Sequence, residues 1–146
     1  MSETGGSRIR VTLRWLQILD KMEPFFKKKG EFAFLAKVST DNHGGQVQET
    51  RIPRKGHYSV SDHPRWNRLN DLDKVIFEGE VTDHLRVEIQ GAELDRFSPN
   101  DPLELYNRTF EGPIADHIAR FEPGDEGSED PENLSNWRLG YEIEAL

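Results

Sequence analysis

The chain has 146 residues, 34% hydrophobic and 32% charged, with a formal net charge of −8 and no cysteine. That length suits one ordinary domain with a thin buried layer and much solvated loop, which favours a sandwich with long loops over a large two-layer enzyme. The acidic balance argues against nucleic acid as a partner, since phosphate neutralisation needs a basic face, and the missing cysteines exclude disulfides, thiolate nucleophiles and cysteine zinc sites.

Residues 1–7 are polar and glycine-rich, without the charged-then-apolar order of a secretory leader, and read as a flexible N-terminus on a cytoplasmic chain. From Arg8, strict alternation sets Ile9, Val11, Leu13 and Trp15 on one side and Arg8, Arg10, Thr12 and Arg14 on the other, a half-buried strand. Residues 20–30 mix charges, Pro24 and lysines and read as a long loop. Phe32, Phe34, Ala36 and Val38 then alternate as a second strand. Thr40-Asp41-Asn42-His43-Gly44-Gly45 is a hairpin turn by composition, leading to a strand over residues 46–52. Residues 53–73 are polar and expected to be mostly irregular, with Trp66 as an anchor to the core.

Val75 and Phe77, then Leu85, Val87 and Ile89, give two more alternating strands, and a loop is expected over residues 90–102. Leu103, Leu105 and Thr109 suggest another strand. Ile114, Ile118 and Phe121 recur at helical spacing, which predicts a short helix over residues 113–121. Residues 122–136 carry six acidic side chains, no basic one, and several Gly and Pro, the composition of a solvated, mobile loop. Trp137, Leu139, Tyr141 and Ile143 form a closing strand with its aromatic face inward. About seven or eight short strands joined by turns is the pattern of an all-β, antiparallel β-sandwich, here one domain over residues 8–146.

Function is harder to read. The five histidines lack a zinc-helix spacing, no serine lies in a nucleophile elbow, and no glycine-rich phosphate loop follows a strand, so binding is favoured over catalysis. The most informative segment is Glu93-Leu94-Asp95-Arg96-Phe97-Ser98-Pro99-Asn100-Asp101, which follows the strand containing Leu85, Val87 and Ile89. Carboxylates in close succession repel unless water solvates them or a hard cation with oxygen ligands sits among them. Solvation is the commoner outcome for an isolated acidic triplet.

In order and spacing this segment resembles the third calcium loop of C2 domains, β-sandwich modules that bind calcium and lipid. The resemblance extends more weakly to the first two strands. It implies a C2-like sandwich whose loop end, built from Asp20, Glu31, Glu93, Asp95 and Asp101, binds calcium and through it an anionic membrane surface or a protein partner. The departures are Glu at 93 where the family has Asp, an insertion of Gln90-Gly91-Ala92 before the acidic loop, and Gly30-Glu31-Phe32-Ala33 where the family carries Ser-Asp-Pro-Tyr.

The loop before the second strand carries Phe25, Phe26, Lys27, Lys28 and Lys29. Placed at the same end, the rings can enter an acyl boundary while the lysines meet anionic headgroups, giving a peripheral membrane protein. The competing reading has the rings capping the core and the lysines solvated. Arg51, Arg54 and Lys55 form a second basic cluster, ordinarily surface charge. Two further readings stay open, a metal-independent protein-interaction module and a carbohydrate-binding or hydrolytic sandwich with an exposed tryptophan or two facing carboxylates.

Overall fold

A computed structural model describes residues 7–18, 30–40, 47–60, 68–93, 101–124, 130–134 and 137–146. The strands are β1 (Ser7–Ile18), β2 (Gly30–Thr40), β3 (Val47–Ile52), β4 (Tyr58–Val60), β5 (Arg68–Leu69), β6 (Lys74–Val81), β7 (His84–Glu93), β8 (Asp101–Pro102), β9 (Tyr106–Glu111), β10 (Ala119–Phe121) and β11 (Trp137–Ala145). A five-stranded sheet runs β10-β11-β1 with β5 and β6 on the far side of β1. A six-stranded sheet is built around β2 and β7, with β3 and β4 flanking β2 and β8 and β9 flanking β7. Every pairing is antiparallel. The fold is an antiparallel β-sandwich, and the pieces β4, β5, β8 and β10 take the strand count above the expected seven or eight.

The inner faces interdigitate as the alternation predicts. Ile9, Val11 and Leu13 of β1 and Trp137, Leu139, Tyr141 and Ile143 of β11 pack against Phe34, Ala36 and Val38 of β2 and Leu85, Val87 and Ile89 of β7. Phe34 and Trp137 meet across the layers with ring centroids 5.3 Å apart. Gly91, opposite Phe34 in the β2–β7 register, has no side chain because a Cβ there would overlap the Phe34 ring.

Two bulges correct the sequence reading. The β1–β11 register shifts between Leu13 and Trp15, leaving Arg14 as the extra residue, so Leu16 and Ile18 return to the core and Trp15 lies on the outer face. Trp15 is nonetheless enclosed. It lies against Gly140, its register partner, under the Arg68 guanidinium at 3.9 Å from the ring centroid, and donates from Nε1 to Glu122 at 3.0 Å. A second shift, in the β1–β6 pairing at Ile76, turns Ile76 and Phe77 inward and leaves Val75 45% exposed.

Three further expectations change. The helix over residues 113–121 is a single 3-10 turn, Ile114–His117, followed by β10, because the segment is too short to propagate an α-helix. Gln90, Gly91 and Ala92 belong to β7, paired with Leu35, Phe34 and Ala33, and are not a loop insertion. Part of the acidic segment is fixed, with Glu132 only 2% exposed and a bridge between Asn133 and Arg138. Trp66 lies outside the described residues. No helix among the described residues is long and apolar enough to cross a membrane.

Candidate functional site

The register of the six-stranded sheet brings three of the expected carboxylate residues to one end of it. β2 begins at Gly30, β7 ends at Glu93, and β8 starts at Asp101. Phe32 pairs with Glu93, and Glu93 with Asp101, so the backbones of Glu93 and Asp101 are one strand step apart, roughly 4.8 Å, and that of Glu31 lies on the next strand, one residue off this row. The β7–β8 return places the start and end of the acidic segment side by side in this way. Asp20 and Asp95, and the loop residues Phe25, Phe26, Lys27, Lys28 and Lys29, lie outside the described residues.

Glu31 is offset by one residue from Phe32, whose ring is buried, and so points to the outer face. There its carboxylate lies 3.6 Å from His57 Nε2, and both side chains are well exposed to solvent. The donor set of Glu31, Glu93 and Asp101 is all oxygen, which suits a hard cation such as calcium and not zinc or copper. Among the described residues no group of three or more His, Asp or Glu side chains is already gathered around a metal position.

A second polar constellation, which the sequence reading missed, closes the β9–β11 edge of the sandwich. Tyr106 of β9 donates to Glu132 Oε2 at 2.6 Å and its hydroxyl lies 2.6 Å from that of Tyr141 on β11. Arg108 donates to the same Glu132 oxygen at 2.7 Å. Its guanidinium lies 4.9 Å from the ring centroids of both Phe110 and Phe121. Glu132 thus ties the acidic segment to β9 through its carboxylate and to β11 through its backbone carbonyl, which accepts from Leu139 N at 3.3 Å. Burial first, then the adjacent Tyr141 hydroxyl and Glu132 carboxylate, hold the Tyr106 phenol far above the ordinary tyrosine range. Burial raises Tyr141 as well, against the lowering effect of its hydrogen bond with Tyr106. For Arg108 burial pulls the value down, but the hydrogen bond and attraction of Glu132 outweigh it. No local spacing announces this cluster, because its hydrogen-bonded partners are 24 to 35 residues apart.

The opposite edge is closed by Gln48 of β3, whose side-chain amide donates to Glu78 O at 2.9 Å and accepts from Glu78 N at 3.1 Å. On the outer face of the five-stranded sheet, Arg14 bridges Asp73, Glu142 and Glu144 at 2.8 to 2.9 Å, which raises its already high pKa, the Asp73 contact foremost. Trp15 and Trp137 are both enclosed, at 5% and 0% exposure, so neither offers a ring face to a sugar. No protein-family model matches the chain, and no curated protein matches it in sequence.

Proposed function

We propose that the chain is a C2-like binding module that docks through the Glu31, Glu93 and Asp101 end of its six-stranded sheet. The observation that carries this reading is the register: residues that are 62 and 8 positions apart in sequence, 31 to 93 and 93 to 101, come to the same end of adjacent strands. In this reading Glu31, Glu93 and Asp101, with Asp20 and Asp95 from the flanking segments, supply oxygen ligands to calcium. The cation's remaining coordination positions accept a phosphate or carboxylate from an anionic lipid or a protein. Phe25, Phe26 and the Lys27, Lys28 and Lys29 run add apolar insertion and headgroup attraction, each lysine worth about 1 kcal/mol near an anionic surface.

The Glu31–His57 contact favours a second reading, a metal-independent interaction module, because a carboxylate engaged on the outer face has to turn away from His57 to join Glu93 and Asp101. Calorimetric titration separates the two. A metal-binding end gives a saturable calcium heat and a calcium-dependent rise in melting temperature, both weakened in Asp101→Asn. Neither signal at sub-millimolar calcium leaves the metal-independent module.

A further inference from the structure

The outer face of the six-stranded sheet has an apolar hollow beside a basic knuckle. In register, Leu35 of β2 stands between Arg51 of β3 and Gln90 of β7, and Ala33 faces Ala92. These side chains and the bare backbone of Gly91 line a shallow hollow of about 310 Å³, and Leu35 at its floor is 44% exposed. The next row along the face is Glu49, Lys37 and Glu88, which fences the hollow with charge on that side. β3 leaves the sheet at Ile52, and the turn that follows presents Arg54 and Lys55, both exposed, beside Arg51, which donates to Pro53 O at 2.9 Å.

Clustering marks this knuckle out. Arg10, Arg14, Arg86, Arg108 and Arg120 each meet a carboxylate at 2.7 to 3.1 Å, as expected in a chain with 27 acidic residues. Arg51, Arg54 and Lys55 meet none among the described residues, and neither do Arg8, Lys37, Arg68, Lys74 and Arg138. Those five lie on five different strands, whereas the knuckle gathers its three cations within residues 51–55. Three cations left together next to an exposed leucine, in a protein of net charge −8, are complementary to an anionic ligand with an apolar anchor. The knuckle is too small for a nucleic-acid backbone, which needs a longer basic track.

We propose that this face docks an acidic, extended peptide segment of a partner protein, seating one aliphatic side chain over Leu35 and its carboxylates against Arg51, Arg54 and Lys55. The segment runs along the β3 side of the face, with β2 and β7 between it and β8, beside the turn whose His57 touches Glu31. Its contacts are to cations and to Leu35, so docking does not require calcium and goes beyond the function proposed above. The hollow holds about one side chain, which sets affinity in a modest range and leaves specificity to the charges.

The test is fluorescence anisotropy of a dye-labelled peptide of glutamates around a central leucine, titrated with the full chain in chelator at low salt. Saturable binding is expected. Arg54→Glu with Lys55→Glu weakens it about tenfold or more, as reversal of two contacts implies, and Leu35→Ser or a serine-for-leucine peptide weakens it severalfold. All these substitutions fall at exposed positions, and circular dichroism checks the fold of each variant. Absence of saturable binding, equal binding by every variant, or loss of binding in chelator overturns the proposal. So does sensitivity of phosphatidylserine-vesicle binding to the same substitutions without any peptide binding, which assigns the face to a membrane.

Discussion

Replacing Glu132 with alanine removes the carboxylate that holds Tyr106 and Arg108 and links the acidic segment to β9. Two hydrogen bonds to a charged group are lost, each worth about 1.5–3 kcal/mol. The loss is partly offset. The Arg108 side chain is 30% exposed and regains water, and the Tyr106 hydroxyl keeps its partner on Tyr141. The net cost is therefore about 2–4 kcal/mol, at or below the roughly 3–5 kcal/mol typical of removing one member of a buried pair. Against a total stability of about 5–15 kcal/mol this is a large fraction. Urea unfolding followed by tryptophan fluorescence reports it, since Trp137 is fully buried in the core. Glu132→Gln keeps an acceptor without the charge and is expected to cost about half as much. A Glu132→Ala variant within about 0.5 kcal/mol of the parent, the range of an ordinary surface change, refutes the idea that this cluster locks the edge.

The same cluster sets an alkaline limit. The native state keeps the Tyr106 and Tyr141 protons that the unfolded chain releases near its ordinary tyrosine value, so their contribution is intact below about pH 10 and is lost as pH rises further. The expected slope is about 1.4 kcal/mol per pH unit for each tyrosine, halved in Tyr106→Phe, and urea midpoints that stay level above pH 10 contradict it. Gly140→Ala places a methyl group in the Trp15 indole and is expected to lower stability by about 1–3 kcal/mol and shift the emission of Trp15, whereas a neutral change shows that the ring moves aside freely. Gln48→Ala uncovers the Glu78 backbone at the β3–β6 edge; about 1 kcal/mol of lost stability with faster amide exchange at Glu78 is expected, and unchanged exchange rejects an edge-closing role.

The sheets were legible wherever one face is buried and the other wet, because period-two alternation then carries the burial pattern directly. Val11 and Leu13, Phe34 and Val38, Val87 and Ile89, and Leu139 and Tyr141 all lie inside as that pattern requires. Alternation failed where a bulge adds a residue. Nothing local distinguishes Arg14 or Ile76 as the extra residue, so Trp15 and Val75 were expected on the wrong face. The acidic segment misled for a different reason. Its composition describes solvation, but the burial of Glu132 comes from Tyr106, Arg108 and Tyr141, partners supplied by other strands. Of the expected site, the closeness of Glu93 and Asp101 in the chain was legible as a short return, and Glu31 was expected there only through the resemblance; the strand register places its backbone on the strand beside Glu93. The engagement of Glu31 by His57 was not legible, since it depends on the turn between β3 and β4.

Sedimentation with phosphatidylserine vesicles, in calcium and in chelator, with Asp95→Asn and Asp101→Asn alongside, tests the proposed docking end most directly. The account predicts binding that needs calcium and falls in both variants. Equal sedimentation in chelator, or full calcium-dependent binding by the two variants, contradicts it.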